Sequence, residues 1–301
     1  MNREKITLKP ILNITKYFEL IKFSHTVFAL PFALISSILA TRELQLTYLS
    51  VKTLELFAWI ILAMVGARSG AMGFNRLIDA KWDAENPRTA TRPSVTGEIG
   101  RISMLIMILI SFSLLVISAW NLNSLAFRLS PFAIFLVCFY SYTKRFTNYS
   151  HLFLGIAIGS APVAGWIAIS GSISVSSLII GLSVLTWIAG FDILYALQDL
   201  EYDKTAGLHS IPVKFGIGRS LRMAKLMHFI TILCWCFLAY RESLALIFYT
   251  GILISSFLLI WEHRLLKEDD LSKLNIAFFN MNAVISVTMF VALIADILVF
   301  S

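Results

Sequence analysis

Long apolar runs alternate with polar stretches along the whole chain. Nine such runs fall roughly at 17–41, 55–79, 102–121, 124–142, 151–170, 175–199, 222–240, 243–262 and 277–300. Crossing a bilayer as a helix takes about 20 predominantly apolar residues. Lipid offers no partner to backbone N–H and C=O groups, so runs of this length must satisfy them internally, as helices. A membrane β-barrel would show alternating segments of about ten residues instead; these runs are longer and do not alternate. The pattern predicts an all-α integral membrane protein with nine transmembrane helices, forming a single polytopic domain over 1–301.

Composition agrees. The chain is 58% hydrophobic and 14% charged, with mean hydropathy +0.79, whereas a soluble domain carries about 25% charged residues. The basic start "MNREKITLKPILNITK" is not followed by a small-residue cleavage site, so the first run is expected to be a retained helix. Lysine and arginine then orient the bundle. With the N-terminus in the cytoplasm, 20 of the 25 fall at cytoplasmic ends, four outside (Arg42, Lys52, Arg128, Arg241), and Arg68 lies within a span. That bias predicts N-in, C-out. The net charge of +7 thus reflects topology and an inner surface attractive to anionic lipid or substrate; it gives no reason to invoke nucleic acid. Cys138, Cys234 and Cys236 all lie in apolar runs and are read as small packing residues.

Two loops are long and polar, and both fall on the predicted cytoplasmic side: "DAKWDAENPRTATRPSVTGEIGR" at 79–101 and "DLEYDKTAGLHSIPVKFGIGR" at 199–219. Each follows a helix whose end carries oxygen-bearing residues four apart: Asn75, Asp79, Asp83 and Tyr195, Asp199, Asp203. Positions i, i+4 and i+8 share a slowly turning helix face. The first helix is expected to stop by Pro87 and the second by Gly207. The two ends, four helices apart, resemble a degenerate internal repeat. Asp192 lies about 10 Å deeper than Asp199 by helical rise and needs a partner or a wet cavity. Arg68 stands seven residues before Asn75, as Asp192 does before Asp199. An Arg68–Asp192 pair and a substrate role for each are equally weighted alternatives.

Four neighbouring carboxylates, Asp79, Asp83, Asp199 and Asp203, repel one another unless compensated. Carboxylate and amide oxygens suit Mg²⁺, a hard ion that shares substrate phosphates. Lys81, Arg88, Arg92, Lys144, Arg145 and Lys204 could balance a diphosphate, the arginines through bidentate contacts. Lys204 is better read as a topological charge. His25, His151 and His209 are read as hydrogen-bonded interfacial residues. The acids thus suggest a two-metal clamp for a diphosphate at the mouth of a hydrophobic cavity.

"NRLIDAKWD", "RTATRP", "YSYTKRFT" and "DILYALQDLEYDKTAGLHSIPVKFG", with "FSHTVFALPFAL" in the first helix, resemble the UbiA superfamily of intramembrane aromatic prenyltransferases, over nearly the whole chain. The resemblance implies a helical bundle around a hydrophobic cavity with its site at the cytoplasmic face. It implies a Mg²⁺-dependent transfer of a polyprenyl group from polyprenyl diphosphate to an aromatic acid, in the inner membrane of a bacterium. By that resemblance Asn75, Asp79 and Asp83 form the first metal motif, and Asp199 and Asp203 the second. Tyr140, Ser141, Lys144 and Arg145 match the basic segment near the diphosphate, joined by Arg88, Arg92 and Lys81. Asp192, Arg68 and Tyr195 are the candidate catalytic residues. Asp192 would polarise the phenol or take its ring proton, and Arg68 could hold the acceptor carboxylate. The acceptor reads as 4-hydroxybenzoate, the alternative being 1,4-dihydroxy-6-naphthoate of a menaquinone route. A secondary transporter is the rival from another class.

Overall fold

The structure, a computed structural model, describes residues 16–17, 20, 26–268, 270–271, 274 and 281–300. Of the 20 cytoplasmic lysines and arginines counted above, Arg3, Lys5, Lys9, Lys22 and Lys273 lie outside the described residues, as does His25. Every regular element among those described is helical: α1 Thr26–Glu43, α2 Val51–Glu85, α3 Arg101–Leu122, α4 Ser124–Thr143, α5 Ser150–Ser170 and α6 Val175–Tyr195. A 3₁₀ turn at Ala196–Asp199 then leads into α7 Leu200–Thr205, followed by α8 Ile211–Arg241, α9 Leu246–Leu265 and α10 Asn282–Phe300. Among the described residues, eight helices are long and apolar enough to cross a membrane, α6 being counted together with its continuation to Thr205. The 18-residue α1 accounts for the remaining apolar run.

Three boundaries differ from the hydropathy reading, each for a local reason. α2 starts at Val51 because Ser50 caps it, its hydroxyl accepting from Thr53 N at 3.1 Å, and it runs unbroken through the polar residues to Glu85. At 35 residues it is about 52 Å long, well beyond a hydrocarbon core of about 30 Å, so its acidic end projects past the lipid. α8 starts at Ile211, not 222: Ser210 caps Val213 N at 3.3 Å and Pro212 occupies the first turn, the usual signature of a helix start. Lys214, Arg219 and Arg222 had hidden this stretch from an apolar scan. Gly216, at φ +76°, interrupts α8 in a conformation that only glycine adopts freely. Finally, the expected single span 175–199 tightens into 3₁₀ geometry over its last four residues.

Close helix approach is built from small residues. A Cβ on Gly159 of α5 would meet Gly181 O of α6 at 2.6 Å, and one on Gly181 would meet Gly159 O at 2.9 Å, so these backbones touch only because both positions are glycine. The bulky core lies to one side of the bundle. Phe32 packs on Trp187 and Trp235, with ring centroids 5.2 and 6.2 Å apart, joined by Trp166 and Phe248. Two pairs of its buried polar groups meet each other: Trp187 Nε1 donates to Asn282 Oδ1 at 2.8 Å, and His228 Nδ1 lies 2.9 Å from His263 Nε2. At the other end of the bundle, Asp296 accepts from Ala245 N at 2.7 Å and Phe248 N at 3.0 Å, a carboxylate capping the start of α9. The exterior is apolar, with Leu253 70% and Leu109 66% exposed, as lipid contact requires.

Candidate active site

The site forms where the ends of α2, α4 and α6 meet the starts of α5 and α8. On α2, Asn75 Nδ2 donates to Asp79 Oδ2 at 2.7 Å and lies 3.4 Å from Ser141 Oγ of α4. The i, i+4 face expected from the sequence is therefore real. One turn later Asp83 is buried. It accepts from Arg92 at 2.5 Å and lies 3.8 Å from Arg76. Arg145, just after α4, reaches back to Asp79 at 3.2 Å and to Ile78 O at 3.1 Å. Its guanidinium lies over the rings of Trp82 and Tyr142, 4.3 and 4.8 Å from their centroids.

The second acidic end is shaped by the 3₁₀ turn. At three residues per turn, side chains over Ala196–Asp199 rotate about 20° further per residue than in an α-helix. Tyr195 and Asp199 still meet at one group, Arg88. Its Nε donates to Asp199 Oδ1 at 2.8 Å, a second guanidinium nitrogen donates to Oδ2, and a third reaches Tyr195 OH at 2.8 Å. Asn86 Nδ2 adds a further bond to Asp199 at 3.0 Å. Asp203 is buried and turned towards Lys144 and Ser210.

Lys144 unites the two ends. Burial works against its charge, but the carboxylates of Asp203, Asp192, Asp199 and Asp79 outweigh that cost, and its pKa stands above the ordinary lysine value. Arg88 behaves alike: burial is offset by the Asp199 hydrogen bonds and by nearby Tyr195, which raise its pKa. The loop is tied to this centre by His209 N donating to Lys144 O at 2.8 Å and by Tyr202 OH donating to Trp82 O at 2.7 Å.

A cavity of about 410 Å³ opens below, lined by α1 to α5 and by Ile173, a size usual for small-molecule sites. From Met72 to Ile60 along α2 it extends about 18 Å. Its walls are almost wholly apolar. Arg68 and Tyr140 are the large polar side chains that line it, and they mark the end nearest the acids.

Of the two alternatives weighed for Arg68 and Asp192, the mutual ion pair does not form. Asp192 is taken by His151, whose Nδ1 lies 2.7 Å from Asp192 Oδ2, while Arg68 lines the cavity with its Nε buried and without a hydrogen-bond partner. Lys81 is exposed and makes no ion pair among the described residues, so the structure does not bring it into the cluster; Lys204 pairs outside it with Glu201 at 2.8 Å. The cysteines are unpaired. Sequence reasoning missed Asn86, Trp82 and Tyr202, and gave His151 no role beyond interfacial hydrogen bonding.

A Mg²⁺ site was expected from the acids. No three acidic, histidine or cysteine side chains among the described residues converge as a ready-made metal cage, because Arg92, Arg88 and Arg145 occupy three of the carboxylates. Even so, Asp83 Oδ2 and Asp203 Oδ2 are buried without a hydrogen-bond partner. One such orphaned oxygen on each acidic end, in a hard oxygen donor set, fits a divalent cation that arrives together with an anionic substrate.

The model of the UbiA prenyltransferase family matches residues 29–284. The chain belongs to that family. Its structure is similar to the apo structure of a UbiA homolog from Aeropyrum pernix K1, with a TM-score of 0.81 at 27% identity over 91% of this chain and 98% of that one. A UbiA homolog from Archaeoglobus fulgidus, solved bound to GPP and Mg²⁺, shares the fold with a TM-score of 0.67 at 22% identity, over 94% of this chain and 100% of that one. In sequence, the chain is similar to the 4-hydroxybenzoate octaprenyltransferase of Tolumonas auensis, 27% identical over 215 residues, 71% of this chain and 75% of that protein. This UbiA-family protein is thus an integral membrane prenyltransferase, and the two acidic helix ends belong to an enzyme rather than to a carrier.

Proposed function

We propose that the protein transfers a polyprenyl group from polyprenyl diphosphate to the ring of 4-hydroxybenzoate, in Mg²⁺-dependent quinone biosynthesis at the cytoplasmic face of a bacterial inner membrane. The observation that carries this reading is the gathering of two acidic helix ends around Lys144 at the polar end of an apolar cavity. The Tolumonas relative's name and the GPP and Mg²⁺ bound to the Archaeoglobus homolog support the donor, the ion and the acceptor class.

In this reading Asn75, Asp79, Asp83, Asp199 and Asp203 hold Mg²⁺, which when bound offsets the charge that grows on the departing diphosphate. Arg88, Arg92 and Arg145, now held by carboxylates, exchange those partners for phosphate oxygens, and Lys144 adds a fixed positive charge. The allylic C–O bond breaks with its electron pair leaving on the diphosphate. The cavity walls keep water from the resulting allylic cation. The ring carbon beside the phenol oxygen bonds to the allylic carbon, and the hydrogen it carried leaves as a proton to the Asp192 carboxylate. Arg68, buried and unpaired at Nε, holds the acceptor carboxylate.

The test offers radiolabelled polyprenyl diphosphate to membranes containing the protein, with and without Mg²⁺, and with 4-hydroxybenzoate and 1,4-dihydroxy-6-naphthoate in parallel. Mg²⁺-dependent prenyl-hydroxybenzoate is the expected product. Product with the naphthoate alone would replace the acceptor, and no consumption of diphosphate by folded protein would overturn the reading.

A further inference from the structure

His151 stands in the first turn of α5 with no exposed side-chain surface. Both its ring nitrogens are engaged. Ile211 N, at the start of α8, lies 3.4 Å from Nε2. A backbone amide can only donate, so Nε2 accepts. In the neutral ring the proton then sits on Nδ1, which donates to Asp192 Oδ2 at 2.7 Å. One imidazole thus joins α5, the end of α6 and the start of α8, immediately after the segment that bears Asp199 and Asp203.

A wholly structural histidine would bond to groups sealed in the core. The Asp192 side chain is instead 21% exposed and stands within electrostatic reach of Lys144 and of Tyr140, which lines the cavity. Its other carboxylate oxygen has no hydrogen bond to the described residues. A carboxylate that receives a proton from a ring must face that ring in one orientation, whereas a free aspartate turns about its last torsion. An arginine partner would fix the orientation but cancel the charge. A neutral imidazole fixes it and leaves the charge intact.

We propose that His151 is a positioning residue for the acceptor half of the reaction: Nδ1–H sets the Asp192 carboxylate, and Nε2 registers it against the loop of the second acidic motif. This rests on the transferase reading above.

The test uses full-length protein in lipid nanodiscs. In His151→Asn the side-chain amide nitrogen replaces Nδ1, whereas in His151→Gln it falls at the Nε2 position; His151→Leu supplies neither. The expected kcat of the Asn variant stays within about fivefold of the parent, while the Gln and Leu variants fall about 10–100-fold, as for other residues that orient a reacting group. KM for polyprenyl diphosphate stays unchanged in all three. In an Asp192→Asn background, His151→Leu costs less than about twofold more, because the two residues act as a unit. Leu activity within about threefold of the parent, or a loss that adds in full to that of Asp192→Asn, would overturn the proposal. If the Leu variant does not fold, the Asn–Gln contrast decides. Independently of turnover, ¹⁵N-histidine NMR is expected to show His151 as the Nδ1–H tautomer, and the Nε2–H form would overturn it. A parent protein that transfers nothing to any phenolic acid defeats the transferase reading, and the tautomer still tests the geometry.

Discussion

Asp199 allows the fold and the chemistry to be separated in one pair of variants. It is buried at 6% exposure and accepts two bonds from Arg88 and one from Asn86. Removing one partner of a buried ion pair costs about 3–5 kcal/mol. Arg88, however, keeps 31% of its side chain exposed and can turn to water, which brings the loss nearer the roughly 1.5–3 kcal/mol of a charged hydrogen bond. Asn86, at 7% exposure, has less recourse. Asp199→Ala should therefore cost about 2–3 kcal/mol, or about 4–12 °C in thermal midpoint at about 2–4 °C per kcal/mol. In Asp199→Asn the amide oxygen still accepts from one donor, so about 1 kcal/mol is expected. The chemistry does not share this gradation. Both variants lose the anionic oxygen, and both should lose at least about 10²-fold in prenyl transfer, the scale of removing one electrostatic contact to a transition state. Thermal midpoints in detergent and transfer rates in nanodiscs together give the answer. An Asn variant retaining more than about a tenth of parental activity would refute a metal-holding role and leave Asp199 as a partner of Arg88 only.

Gly159→Leu should prevent α5 and α6 from closing, because its Cβ alone would meet Gly181 O at 2.6 Å; a loss of about 3 kcal/mol or more in stability is read from the thermal midpoint. Asn86→Ala removes a bond to Asp199 and one to Arg88 N at 2.9 Å, for about 1–2 kcal/mol, and should lower transfer several-fold by loosening the loop; chemical denaturation and activity assays check it. Arg68→Leu should raise KM for the aromatic acid at least about tenfold and leave KM for polyprenyl diphosphate unchanged, as steady-state kinetics with each substrate varied would show.

Much of the site could be read from spacing. Asn75 and Asp79 meet because an unbroken α-helix keeps i and i+4 on one face, and nothing between 51 and 85 interrupts α2. Nothing in the residues of Ala196–Asp199 announced the 3₁₀ turn that follows α6, yet Tyr195 and Asp199 still share Arg88. Matching depth suggested an Arg68–Asp192 pair. Depth says nothing of rotation about the helix axis, and His151, 41 residues from Asp192 in the chain, was nearer. Asn86 looked like an ordinary loop residue because its partner, 113 positions away, exists only in the fold. The cavity did leave a trace, in alanines at 63, 67 and 71 on α2 and at 157, 161, 164 and 168 on α5: small side chains at helical spacing where packing residues would otherwise fill the space.

The most direct test of the central claim is calorimetric titration of a non-reactive polyprenyl diphosphate analogue into nanodisc-embedded protein, with Mg²⁺ and with EDTA, for the parent and for an Asp83→Asn, Asp203→Asn variant. These two residues carry the orphaned oxygens of the two acidic ends. Binding that requires Mg²⁺ in the parent and weakens at least about 100-fold in the variant is the expected result. Equal binding with EDTA, or an unweakened variant, would contradict a metal-held diphosphate at this end of the bundle.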